Sequence, residues 1–288
     1  MWREPPVAHH ATPPTMRLTG YERRAQREIE NWERGGDESL LQQALGFALK
    51  PVDWAFNQFV PDSVVDTLGD GLNKALGKLN DASAWTYDEN DTLAKARAAG
   101  LEVEDVEALR DQPLEKLDAI AANIAGPNTI LAGLSGGGAG LGGLLFAAAD
   151  IPVLFTINFR LIQQIGAAYG FPLRDPAFQP LVLSTFNVAA SGSRQAKSDA
   201  LRELSVAGAA FAHGSGYRGR EAQGTMREQM GHIPREIAKN LAGRKLAQMI
   251  PLAGAAIGAG VNYWFTDQTA KTATQLFRAL YLERKERL

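Results

Sequence analysis

Two long stretches without a single charged side chain constrain what this chain can fold into. Residues 129–149 (TILAGLSGGGAGLGGLLFAAA) carry no Asp, Glu, Lys or Arg over 21 positions, and residues 246–265 (LAQMIPLAGAAIGAGVNYWF) carry none over 20. As helices, both meet the length criterion for crossing a bilayer. Seven glycines in the first and Pro251 in the second weaken that reading, and a mean hydropathy of −0.18 is low for a protein built around spanning helices. Small residues recur at helical spacing (Gly133/Gly137, Gly136/Gly140, Gly254/Gly258), which lets helix backbones approach closely. The expectation is a helical hairpin, buried or lying at an interface.

The rest of the chain also has the helical period. Tyr21, Ala25, Ile29 and Trp32 fall on one face of a first amphipathic helix, and Leu40 to Leu49 form a second stripe that Asp37 could cap. Val64 to Leu79 continue the pattern. Leu114, Leu117, Ile120 and Ile124 define a helix expected to stop at Gly126-Pro127. Asp150-Ile151-Pro152 reads as a new start, with Asp150 as N-cap, Leu154, Ile157, Leu161 and Ile165 inside, a polar strip of Thr156, Arg160, Gln163 and Gln164, and Tyr169-Gly170 as the end. Phe178 to Phe186 and Thr269 to about Arg287 complete the set. No strand-like alternation bounded by hairpin turns appears, so the fold class is all-α: a multi-helix domain over 19–288 around a Gly/Ala-rich central hairpin. Residues 1–18, with four prolines and His9-His10, are expected to be a mobile tail lacking a secretory core, which places the protein in the cytoplasm.

Charge and cysteine content exclude several functions. Thirty Lys+Arg against 32 Asp+Glu give no global positive field, so nucleic acid is not an expected partner. The absence of cysteine removes disulfides, thiol catalysis and cysteine metal sites. The near-neutral total hides an asymmetry. Residues 81–118 hold 11 acids against four bases, read as a solvated acidic face, whereas 190–245 hold ten bases against five acids. Arg235, Lys239, Arg244 and Lys245 lead into the second neutral stretch, which ends at Asn262-Tyr263-Trp264-Phe265. Cations at one end and aromatics at the other are how a helix is held at a lipid surface, so these four cations and Trp264 are candidate membrane or partner contacts. The segment 212–232, with five glycines, reads as a flexible connection.

Catalytic signatures are weak. Gly133-Leu134-Ser135-Gly136-Gly137 matches G-x-S-x-G without the strand-to-helix elbow that chemistry requires. Gly138-x-Gly140-x-x-Gly143 lacks the preceding strand and the downstream acid of a dinucleotide site. His213 and His232 have no metal-ligand spacing between them. No cofactor, metal or catalytic residue is assigned.

Taken together, these residues resemble the EcsC family of bacterial proteins. The likeness begins at Tyr21-Glu22 and Trp32, and passes through the glycine-rich stretch to Asp150-Ile151-Pro152, Arg160 and Tyr169-Gly170. It resumes at Pro251, Gly254-Ala255, Gly258, Asn262, Ala273, Phe277 and Leu280, so that it spans roughly 19–284. The resemblance implies an α-helical protein, named after the third member of an operon encoding an ABC-type exporter, with no settled activity. Asp150, Pro152, Arg160, Tyr169, Gly170, Gly254 and Asn262 are its recurring positions here, and are expected to be structural. The functional expectation is a non-enzymatic protein at the inner membrane or on a membrane transporter, attached peripherally. The alternatives are an integral hairpin that oligomerises through its small-residue faces, and a hydrolase using Asp150 with Arg160 or a histidine.

Overall fold

The computed structural model describes residues 18–34, 66, 69–71, 87–141, 143–174, 178–191, 194–212, 232–238 and 254–287, with the backbone alone within 136–152, 209–212 and 254–258. The described residues form helices and no strand: α1 (Gly20–Glu33), α2 (Glu89–Ala98), a 3-10 turn (Glu107–Asp111), α3 (Leu114–Leu141), α4 (Gly143–Ala168), α5 (Gln179–Ala190), α6 (Arg194–Ala212) and α7 (Gly254–Arg287). A further helical stretch covers 232–238. The expected tail at 1–17, the stripe at 37–49, most of 61–85 and most of 212–232 lie outside the described residues.

Helix α1 starts where local chemistry tells it to. The Thr19 hydroxyl accepts from the Glu22 amide at 3.2 Å and the Glu22 carboxylate accepts from the Thr19 amide at 2.7 Å, a reciprocal capping box. Its buried face is Ala25, Ile29 and Trp32.

The centre of the fold is three long helices, α3, α4 and α7. Asp118 meets Tyr169 and Asn128 meets Gln164, so α3 and α4 run antiparallel as a hairpin. Asp118 also meets Arg278, and Gly133 meets Tyr263, so α7 runs antiparallel to α3 along a shared seam. Asn158 reaches Thr266 and Gly166 faces Phe277, which makes α4 and α7 parallel. Against this layer lies α5, every residue of which is buried. Phe186 of α5 packs edge-on to Phe155 and Phe265 and against Phe159, joining α4, α5 and α7 in one aromatic cluster.

Three boundaries and the burial of one residue differ from those expected. Helix α3 does not end at Gly126-Pro127 but continues to Leu141. An internal proline costs about 3 kcal/mol in lost hydrogen bonding and clash. Here the Asn128 and Thr129 side chains donate to the Ile124 and Ala125 carbonyls at 2.8 Å each, holding the turn before Pro127, while α4 and α7 pack along the helix. Helix α4 begins at Gly143, so Asp150 lies inside it rather than at its N-cap, and Pro152 lies beyond its first turn. Asp150 and Arg160 are ten residues apart on one helix, about 15 Å along its axis, so they cannot form the pair that a shared catalytic role would need. Gln163 is buried rather than part of a solvated strip, and donates to the Leu173 carbonyl at 3.3 Å. Finally, the second neutral stretch and the C-terminal helix are one continuous element from Gly254.

The end of α4 at Tyr169-Gly170 is as expected. Phe171 N–H donates to the Gly166 carbonyl and Gly170 N–H to the Ala167 carbonyl, with Gly170 at φ +81°, a Schellman close. A Cβ on Gly170 would stand 2.4 Å from the Arg110 amide nitrogen, so both backbone angle and space require glycine. A Cβ on Gly166 would stand 2.8 Å from Phe277 Cζ, which shows how closely α7 approaches α4 there.

Candidate functional site

Three features could carry function: an ionic knot at one end of the helical layer, an uncharged exposed face on α3, and a carboxylate–imidazole cluster beside α5.

The knot is centred on Asp118. Its Oδ1 accepts from Tyr169 Oη at 2.5 Å and Arg278 Nε at 2.9 Å, and its Oδ2 accepts from Tyr21 Oη at 2.6 Å and the second Arg278 nitrogen at 2.8 Å. Asp118 and Arg278 side chains are only 9% and 13% exposed. Burial, reinforced by the adjacent Asp118 carboxylate, pushes the Tyr21 hydroxyl up to about 12 and Tyr169 well above its ordinary value. Arg278 also reaches Glu28, Lys285 reaches Glu22 at 2.5 Å, and Arg284 reaches Asp111 and the Arg110 carbonyl. The Arg110 guanidinium donates to Gly170 O at 2.8 and 3.2 Å. Arg174 holds Glu89 and Glu107. The acidic front of the chain is therefore not simply a solvated face, because Glu89, Glu107, Asp111 and Asp118 are neutralised by arginines from later in the chain. Every oxygen of Asp118 is committed to donors and the pair is enclosed, which makes the knot a clasp between α1, α3, α4 and α7.

The exposed side of α3 has the opposite character. Ala122, Asn123, Gly126, Pro127, Ile130, Leu131 and Leu134 face outward, and no charged residue occurs between Asp118 and Asp150. Ile130, Leu131 and Leu134 are 60%, 54% and 72% exposed. The neighbouring Tyr263 of α7 lies over Gly133 and is itself exposed, so the apolar face continues across the seam. From Ala122 to Leu134 it extends about 18 Å at 1.5 Å per residue.

At the third place, His232 Nε2 lies 2.6 Å from Glu203 Oε1, with Glu236 beside them and Asn187 donating to Glu236 at 3.1 Å. The sequence separation of 29 positions between Glu203 and His232 hid this grouping.

The residues singled out from sequence divide as follows. Trp264 is 4% exposed and packs beside Phe265, so its ring is inside the protein rather than on a contact surface. Arg235 is exposed; Lys239, Arg244 and Lys245 lie outside the described residues. Tyr169 and Asn262 are fully buried, Gly170 closes α4, Gly254 is the first described residue of α7 and Arg160 is exposed. Nothing is described of the side chains of Asp150 and Pro152. No helix among the described residues is long and apolar enough to cross a membrane.

With Asp118, Tyr169 and Arg278 gathered in one clasp, the match to known sequences covers most of the elements that build the fold: the pattern of the EcsC protein family fits residues 23–282. The chain belongs to the EcsC family. One relative is the uncharacterized protein YdbA of Bacillus subtilis (strain 168), 24% identical over 265 residues, 88% of this chain and 89% of that protein. Another is Protein EcsC of the same organism, 27% identical over 153 residues, 53% of this chain and 58% of that one. No solved structure matches. The expected EcsC resemblance and all-α fold are thus both established, and the EcsC match takes in Asp118, Tyr169 and Arg278 of the clasp together with the apolar face of α3.

Proposed function

We propose that this EcsC-family protein is a non-enzymatic helical protein that attaches peripherally to the inner face of a bacterial membrane, with the exposed apolar side of α3 as its contact. The observation that carries the reading is the cluster Ile130, Leu131, Leu134 and Tyr263, solvent-exposed in a stretch of helix free of charge. A solvated helix face ordinarily alternates charge, and a contiguous apolar face marks a contact surface. Transferring a half-exposed Ile or Leu to a lipid interface contributes about 1 kcal/mol each, so three of them with a tyrosine supply roughly 3–5 kcal/mol, enough for reversible binding. Arg235 and the cations that follow it in sequence would add attraction to anionic headgroups. The absence of a spanning helix among the described residues favours this peripheral mode over an integral hairpin.

Vesicle co-sedimentation tests it. Wild-type protein should pellet with vesicles containing anionic phospholipid, and Ile130→Glu combined with Leu134→Glu should weaken binding more than tenfold while leaving the helical circular dichroism unchanged. Equal pelleting of the two proteins would overturn the proposal. Replacement of Arg235, Lys239, Arg244 and Lys245 by Glu should remove the anionic-lipid preference; an unchanged preference would eliminate the electrostatic contribution.

A further inference from the structure

We infer that Glu203, His232, Glu236 and Asn187 form a binding site for one divalent transition cation, of the kind that accepts mixed nitrogen and oxygen ligands, such as Zn²⁺ or Mn²⁺. The donors come from three segments: Asn187 from α5, Glu203 from α6, and His232 with Glu236 from the helical stretch 232–238. On that stretch His232 and Glu236 are four residues apart and so lie on one face, the spacing at which a helix presents two ligands to one ion. Ligand atoms of Glu203, His232 and Glu236 all fall within 4.8 Å of one another. A tetrahedral ion with bonds of about 2.0–2.1 Å sets its ligands about 3.4 Å apart. The 2.6 Å contact of His232 with Glu203 therefore opens slightly and Glu236 moves inward, which side-chain torsions alone can supply.

Two groups at the cluster are short of partners in a way a cation would correct. Asn187 is 1% exposed; its amide nitrogen donates to Glu236 Oε2, while its carbonyl oxygen is buried without a hydrogen-bond donor. Glu203 has one oxygen on His232 and the other, Oε2, buried without a donor. Buried acceptors are seldom left this way. A half-turn of the Asn187 amide would bring its oxygen to where the nitrogen now stands, beside Glu236, completing an N,O,O,O set. One imidazole with carboxylate and amide oxygens suits zinc and manganese better than the softer metals that select thiolates. Arg235, adjacent in sequence to Glu236, is exposed.

The site is tested with the full-length protein after dialysis against EDTA, by titration with Zn²⁺ and separately with Co²⁺, whose visible absorption reports ligand type and geometry. One equivalent of Zn²⁺ should bind, with a rise in melting temperature and, for Co²⁺, a d–d band. His232→Ala and Glu203→Gln should each weaken binding at least tenfold, and Asn187→Ala should weaken it less. Because His9 and His10 could also take up metal, His9→Ala combined with His10→Ala should leave the affinity unchanged. Wild-type affinity in both His232→Ala and Glu203→Gln, or loss of binding in the His9/His10 variant alone, would overturn the assignment. The side chains of His232 and Glu203 are 40% and 26% exposed, so neither substitution removes a core group. Circular dichroism of each metal-free variant should match the wild type.

Discussion

Replacing Asp118 by Asn probes the clasp with the smallest possible change of shape. Each Asp118 oxygen takes one tyrosine hydroxyl and one guanidinium N–H of Arg278. In the variant one oxygen keeps its two donors, while the amide nitrogen faces the other two. Tyr21 can reverse its hydroxyl and accept, but the guanidinium cannot, so a donor is left against a donor. Breaking a buried ion pair by removing one partner's charge costs 3–5 kcal/mol. Arg278 still has Glu28, but that carboxylate is 56% exposed and contributes little. The expected loss is about 3 kcal/mol, which in a domain of this size lowers the melting temperature by roughly 6–12 °C. Urea unfolding followed by circular dichroism measures it. Combining Asp118→Asn with Arg278→Met should cost clearly less than the sum of the two single changes, since the second removes the group the first leaves stranded. A loss under about 1 kcal/mol, or simple additivity, would refute the assignment of the clasp as the joint between α1, α3, α4 and α7.

Other expectations follow from the same geometry. Gly170→Ala should destabilise by roughly 2–4 kcal/mol, combining the cost of φ +81° for an L side chain with a 2.4 Å clash on the Arg110 amide, measured by the same unfolding curves. Alkali should loosen the clasp: Tyr21 and Tyr169 are raised above their unfolded value near 10, so their contribution is complete below pH 10 and falls as pH rises through their folded values, about 12 for Tyr21. Stability measured from pH 9 to 12 should decline over that window, and Tyr21→Phe should make the decline shallower.

What the sequence could and could not disclose follows from the range of the interactions. The face of α1, the Schellman close at Gly170 and the apolar positions of α5 are set by neighbours within a turn or two, and spacing alone exposes them. Pro127 and Asp150 misled because local stop and start signals compete with packing: a proline that would end an isolated helix is tolerated where α4 and α7 pack along the helix. Trp264 looked like an interfacial aromatic because it ends a neutral stretch, yet that stretch continues into α7 and the ring points into the core. Asp118 and Arg278 are 160 positions apart and Glu203 and His232 29 apart, pairings with no local trace in one sequence. The acidic excess of 81–118 was the one available hint, and its partners Arg174, Arg278 and Arg284 lie outside the basic segment 190–245.

The proposed lipid contact is the uncharged face of α3. The protein has no cysteine, so a single one introduced at Leu134 can carry an environment-sensitive fluorophore, with a second labelled variant at exposed Asp91 on α2 as reference. Adding anionic vesicles should shift the emission of the label at 134 to shorter wavelength and increase it, while the label at 91 stays unchanged. Identical, water-like emission at both positions with vesicles present would contradict the account.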